Sequence, residues 1–128
     1  MALKRVFVSF DYDHDSRIKD LFVGQAKNPD TPFAIADYSI KVASRDWLEE
    51  ARKRIKSCDV VVVLCGRRTS SANGVAIELQ LAREELVPYF LLAGYSEGHL
   101  EKPVGATSSD QIYIWSWDNL KKLIGGSR

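Results

Sequence analysis

Hydrophobic and polar positions change period several times along this chain, and each change marks an element. Val6-Phe7-Val8-Ser9-Phe10 is a short apolar run that predicts a first strand. An acidic turn follows from Asp11 to Asp15. Ile18, Leu21, Phe22 and Ala26 then recur at helical spacing, with Asp15 or Ser16 as N-cap. Asn28-Pro29-Asp30-Thr31-Pro32 breaks the chain, and Phe33-Ala34-Ile35-Ala36 reads as a second strand ending at Asp37-Tyr38. Residues 39–44 read as a loop. From about Ser44 an amphipathic helix carries Trp47, Leu48, Ala51 and Ile55 on one stripe and Glu49, Glu50, Arg52, Lys53 and Lys56 on the other. Asp46 and Glu49 stand at capping-box spacing.

The next run, Asp59-Val60-Val61-Val62-Val63-Leu64-Cys65, is apolar continuously rather than alternately. That pattern belongs to a central parallel strand covered by helices on both faces. A helix is predicted from about Ala72 to Glu85, and a fourth strand over Pro88-Tyr89-Phe90-Leu91-Leu92-Ala93. Gly94 to Asp110 is polar and rich in Gly, Ser and Pro, the composition of a long surface loop. Gln111-Ile112-Tyr113-Ile114-Trp115 predicts a fifth strand. Asp118 then caps a short helix with Leu120, Leu123 and Ile124, and Gly125 to Arg128 form a frayed tail. There are no repeats and no low-complexity segments.

Strands therefore alternate with helices throughout, which implies a parallel sheet with a helical layer on each side. The whole chain, 1–128, reads as a single domain of flavodoxin-like, three-layer α/β architecture. Its sheet has five parallel strands in the order 2-1-3-4-5. In that order a crevice opens beside the C-terminal ends of the first and third strands, Ser9-Phe10-Asp11-Tyr12 and Cys65-Gly66-Arg67.

Composition narrows the function. The 128 residues carry 18 basic and 17 acidic side chains, a net charge of +1, which gives no basis for a nucleic-acid or anionic-membrane partner. The apolar runs are too short to span a bilayer, and Met1-Ala2-Leu3-Lys4-Arg5 leads into a strand without a signal peptide's apolar stretch. Cys58 and Cys65 precede and end one strand, too far apart to bridge, and read as free core thiols of a cytoplasmic protein.

One carboxylate stands out against this background. Glu78 lies in Val75-Ala76-Ile77-Glu78-Leu79-Gln80-Leu81-Ala82, with Gly74, Val75, Leu81 and Ala82 as its helical neighbours. An acid on an apolar face loses hydration, which raises its pKa and suits it to chemistry on a polar ligand. Other chemistries fit poorly. A phosphate-accepting receiver domain needs an aspartate at the end of strand three, where Cys65 and Gly66 stand. Neither His14 nor His99 has a context that pairs it with a nucleophile. No His/Cys cluster has zinc spacing, and no metal site is expected. The acidic turn Asp11, Asp13, Asp15 reads as a solvated capping loop, although its oxygens resemble magnesium ligands. There is no Walker loop and no GxGxxG.

A lone glutamate can stabilise a sugar oxocarbenium ion, bond ribose hydroxyls or attack an anomeric carbon. Cleaving the nicotinamide–ribose bond of NAD needs little more, because nicotinamide leaves as a neutral molecule without an acid's help. Arg67 and Arg68 are candidates for the pyrophosphate, and Phe10, Tyr12 or Tyr38 for stacking on a ring. Each also has a plain structural alternative: Phe10 as core, the arginines as solvated surface, and Glu78 as an acceptor for N–H groups near a helix start.

Lys4-Arg5-Val6-Phe7-Val8-Ser9-Phe10, followed by Tyr12 and Asp15, resembles the opening of TIR and TIR-like domains. More specifically, Ser57-Cys58-Asp59 through Leu64, then Gly66-x-x-Thr69-x5-Val75-x-x-Glu78-Leu79-x-x-Ala82, resembles the TIR-like family of bacterial Thoeris antiphage systems. The resemblance runs to about residue 95. It implies Glu78 as catalytic residue; Ser9, Phe10, Asp11, Tyr12, Asp37, Gly66, Arg67 and Thr69 are the expected substrate-binding set. It also implies NAD as substrate rather than cofactor, linear or cyclic ADP-ribose products, self-association into homo-oligomers, and a nucleotide-sensing effector as partner. Members of the family often carry tryptophan where this chain has Gly74, and histidine where it has Asp11. The TIR family also contains non-catalytic assembly modules, the second reading of the chain. A nucleoside deoxyribosyltransferase-like reaction, which also uses a glutamate, is the third.

Overall fold

A computed structural model of the protein describes residues 3–39 and 46–126. The strands are β1 (Lys4–Ser9), β2 (Phe33–Tyr38), β3 (Val60–Cys65), β4 (Tyr89–Ala93) and β5 (Ile112–Tyr113). The helices are α1 (Ser16–Ala26), α2 (Trp47–Lys56), α3 (Asn73–Glu84) and α4 (Trp117–Ile124), with one 3-10 turn, Thr69–Ser71, before α3. All strand pairs are parallel and the order is β2-β1-β3-β4-β5, as the alternation of elements predicts.

The sheet divides the core into two layers. Val6, Val8, Phe10, Val60, Val62 and Leu64 face one way and pack under Ile18 and Phe22 of α1 and Leu120, Leu123 and Ile124 of α4. Phe7, Val61, Val63 and Cys65 face the other way, under Trp47, Ala51 and Ile55 of α2 and Val75, Leu81 and Ala82 of α3. The six residues of β3 are all buried because both of its faces are covered, which is why its sequence lacks alternation.

Strand β2 contains an irregularity that matters for the site. Val6 pairs with Ile35 but Phe7 pairs with Asp37, so Ala36 is an extra residue and β2 bulges there. Beyond the bulge every side chain changes sides relative to plain alternation. Asp37 now lies on the layer of Phe7, and Tyr38 falls on the layer of α1, where Lys19 Nζ sits 4.5 Å from its ring centre.

Several local expectations are corrected. Leu21 and Leu48, assigned to buried stripes by spacing, are exposed, because each sits at the margin of a narrower apolar face. Asp46 occupies the N-cap of α2 but its side chain makes no capping bond, so the capping box with Glu49 does not form. Asp15 holds the N-cap position of α1 but its carboxylate turns inward, while Ser16 Oγ donates to Tyr12 O. The cap of α4 is Ser116, which accepts from Asn119 N, and Asp118 lies in the first turn. Strand β5 is only two residues long, since it pairs on one side alone, with Leu91 and Leu92 of β4. The predicted loop over 40–44, the helix start at Ser44 and the tail residues 127–128 lie outside the described residues.

The segment Gly94–Asp110 has no helix or strand, in keeping with its composition, yet it is stitched to the loop after β3. Glu101 N donates to Gly66 O at 2.9 Å, and Glu101 Oε1 accepts from Ser70 N and Ser70 Oγ at 3.2 and 2.5 Å. Among the described residues no helix is long and apolar enough to cross a membrane. Both cysteines are buried and free, and burial pushes the Cys65 thiol up to about 12, so it is a packing group and not a nucleophile.

Candidate functional site

Strand order reverses between β1 and β3, and the chain ends of this region converge around Glu78. The residue is carried on the second turn of α3, whose apolar side packs on the sheet, and this places the carboxylate against the end of β1. Glu78 is 1% exposed. Ser9 Oγ and Ser39 Oγ both donate to its Oε1, at 2.7 and 2.5 Å. Both bonds fall on the same carboxylate oxygen, which anchors that side of the group. Burial pushes the Glu78 carboxyl up to about 7; the bonds from Ser39 and Ser9 oppose the rise, and the nearby charge of Asp37 adds to it.

Sequence reasoning misses Ser39. It follows β2 and would face α1 if the strand alternated regularly; the bulge at Ala36 turns it toward α3. It is locked there by three contacts. Its N–H donates to Val8 O at 2.9 Å, its Oγ accepts from Phe10 N at 3.1 Å, and its hydroxyl proton goes to Glu78. Removing this hydroxyl withdraws a donor that favours the ionised form. In Ser39→Ala the Glu78 carboxyl is therefore expected to titrate above its wild-type value of about 7, as read by carbon-13 NMR of the side chain. An unchanged midpoint would show that the bond does not govern the acid.

The Glu78 cavity has a volume of about 330 Å³, within the ordinary range of ligand pockets. Phe10, Asp11, Tyr12, Asp13 and His14 form one wall, and Ser71 to Val75, with Ile77, form the other. The second wall is the N-terminal end of α3, where unpaired N–H groups and the helix dipole favour an anion. Gly74 lines this wall and contributes no side chain of its own. On the first wall, Phe10 and Tyr12 stack with ring centres 6.1 Å apart; Phe10 is buried and belongs to the core as well, while Tyr12 is exposed. Asp11 is buried, and its Oδ2 holds His14 Nδ1 at 2.7 Å. Arg68 Nη1 approaches His14 Nε2 at 3.3 Å from outside.

Of the residues singled out from the sequence, Glu78, Phe10, Asp11 and Tyr12 line this cavity, and Ser9 stands directly behind the carboxylate. The others lie elsewhere. Asp37 accepts from Arg54 Nη1 at 2.9 Å and does not reach the cavity. Gly66 and Thr69 shape the loop after β3, Gly66 N donating to the buried Thr69 Oγ1 at 2.7 Å. The Arg67 guanidinium lies 4.8 Å from the ring centre of Tyr95 and donates to Glu97 O, on the far side of that loop. Its neighbour Arg68 is the arginine at the Glu78 side. His14 belongs to the site too; it stands three residues after Asp11 across a turn, and this spacing is the signal that marks it.

A larger groove of about 890 Å³ lies beyond β4 and β5, between Leu21, Tyr95, Leu100, Trp115 and Trp117. Trp115 Nε1 donates to Gln25 Oε1 at 2.8 Å and its ring packs on Phe22. Among the described residues no carboxylate lines this groove.

A parallel sheet of order 2-1-3-4-5 with the buried Glu78 carboxylate at its reversal point defines a flavodoxin-like α/β domain. The family model described as "Thoeris protein ThsB, TIR-like domain" matches residues 7–91, most of the chain, and the protein belongs to this TIR-like family. No curated protein matches the sequence. Among solved structures, the glutaminase domain of Trypanosoma brucei CTPS with bound acivicin is similar at 20% identity and a TM-score of 0.47. That alignment covers 70% of this chain and 36% of the other, so this chain spans about a third of that protein's length.

Proposed function

We propose that the protein binds NAD in the Glu78 crevice and cleaves the bond between nicotinamide and ribose. The released ADP-ribosyl group would be hydrolysed or cyclised into a signal for an effector protein in antiphage defence. The observation that carries this reading is the anchoring of Glu78: two serine hydroxyls bond its Oε1, and the buried residue lines a cavity of about 330 Å³. A carboxylate fixed in this way is preorganised for positive charge developing on C1′ of the ribose, and reorganises little as the bond breaks. Water is largely excluded around it, which strengthens the attraction. Nicotinamide needs no proton to leave, so no second acid is required at the cavity wall. Phe10 and Tyr12 provide aromatic surface for a planar ring. Arg68, which reaches His14 of the cavity wall, and the N-terminal turn of α3 supply donors suited to a pyrophosphate.

The anion is the working form, so the reaction should speed up as pH rises through about 7, where Glu78 loses its proton. The direct test is nicotinamide release from NAD by purified protein, at low and high protein concentration and between pH 5 and pH 9. Release that rises toward alkaline pH with a midpoint near 7 supports the reading. No release at any concentration or pH rejects it.

A further inference from the structure

Bond cleavage as proposed above is only half of a turnover. The ribosyl cation must then be captured by water or by a hydroxyl of the substrate, and either nucleophile has a proton to lose. Glu78 is poorly placed to take it. In that scheme its negative charge stays opposite the cation until capture is complete, which a proton taken early would cancel. A second group on the cavity wall answers this need.

His14 lines the same cavity, with its side chain 43% exposed at the mouth and therefore within reach of water. Its two ring nitrogens have partners of opposite kind. The Asp11 carboxylate can only accept, so the nitrogen facing it, Nδ1, carries the proton. The Arg68 guanidinium can only donate, so Nε2 presents its lone pair. Asp11 is itself held, buried and with Oδ1 accepting from Asp13 N at 3.2 Å, and so it fixes both the tautomer and the ring's direction. The contact of 3.3 Å from Arg68 is long and comes from an exposed side chain, the one a pyrophosphate would draw away.

We propose that His14, oriented by Asp11, is the general base of the capture step, taking the proton from the water or substrate hydroxyl that attacks C1′. The proposal rests on the NAD-cleaving reading of the Glu78 crevice. In the first step the bond from C1′ to the nicotinamide nitrogen breaks and both electrons leave with nicotinamide. In the second, a lone pair of the incoming oxygen forms the bond to C1′, and its proton passes to Nε2. The imidazolium, held against the Asp11 carboxylate, returns that proton to solvent. Asp11 is a positioning residue in this scheme and His14 a catalytic one.

The two steps are separable by the choice of nucleophile. A free pyridine base such as 3-acetylpyridine captures the ribosyl cation through a nitrogen that has no proton to lose, so exchange into NAD needs Glu78 but no base. In His14→Gln, hydrolysis and cyclisation of NAD are expected to fall about 100-fold, while pyridine exchange stays within about threefold of wild type. Asp11→Asn should shift the ratio in the same direction by a smaller factor. Retained exchange also shows that the variant is folded. Equal loss of exchange and hydrolysis, or no loss of either, overturns the assignment of His14. Exchange that survives Glu78→Gln, or a wild-type protein that performs neither reaction, overturns the NAD-cleaving reading itself, and so the two failures are distinct.

Discussion

Replacing Glu78 with glutamine is expected to reduce nicotinamide release at least about 100-fold while leaving the fold intact. Glutamine has nearly the same shape, and its amide oxygen can still accept from Ser9 and Ser39 at the position of Oε1. What disappears is the negative charge opposite C1′. The same substitution has a second signature that does not depend on activity. The Glu78 carboxyl is raised from 4.5 to about 7 in the folded protein, so the folded state holds this proton more tightly than the unfolded chain does. Folding then takes up a proton in that window, and raising the pH opposes it. The wild type is therefore expected to lose stability relative to Glu78→Gln as pH rises from 4.5 through about 7. The total is on the order of 3 kcal/mol, at about 1.4 kcal/mol for each tenfold difference in proton affinity between the two states. Urea denaturation of both proteins at pH 5 and pH 8 reads this directly. A pH-independent difference would mean that Glu78 is not the strained acid its burial implies.

The second large effect is expected at Gly66, from packing alone. A Cβ built there falls 2.3 Å from Asp15 Oδ2 and 2.7 Å from Oδ1. Neither side can yield easily. Asp15 is buried and its Oδ1 accepts from Tyr95 OH, while the backbone of Gly66 is pinned through Thr69 Oγ1 and Glu101 N. Gly66→Ala should therefore destabilise the protein by about 3 kcal/mol, the upper end of overpacking costs. Gly24, inside α1 with nothing within 4 Å of a new Cβ, is the matched control. Alanine there should stabilise by up to about 1 kcal/mol. Thermal melts of the pair decide the matter; similar shifts would show that the loop after β3 relaxes around the methyl group. Asp15 explains why the glycine is there. Its Oδ2 is buried without a partner and burial raises its pKa, so the space beside it is set by a carboxylate and not by an apolar side chain.

Much of this is legible in the sequence, and the parts that are not share a physical cause. The continuous valine run identifies β3 as the covered central strand, and β3 locates the crevice and with it Glu78. Ser9 follows because it ends β1, whose register leaves no freedom. Arg67 and Arg68 are indistinguishable in sequence, because adjacent residues in a loop point apart and only the backbone path decides which meets His14 and which meets Tyr95. Leu21 and Leu48 mislead because helical spacing gives the width of an apolar stripe only to within a residue. Asp15 has the right residue type and position for a cap, but Tyr95, 80 residues away in sequence, competes for its carboxylate. Tertiary partners of this kind leave no local trace.

The bulge in β2 has a consequence for how such sites diversify. Ala36 contributes no polar side-chain atom, yet its presence decides whether position 39 or position 38 confronts the acid, a serine in one case and a tyrosine in the other. A single codon gained or lost in this strand would exchange the two layers of the sheet for everything downstream in β2 without altering Glu78 or His14. The identity of the acid's partner is thus stored as chain length, and a change of length in β2 would alter the acidity of an unchanged glutamate.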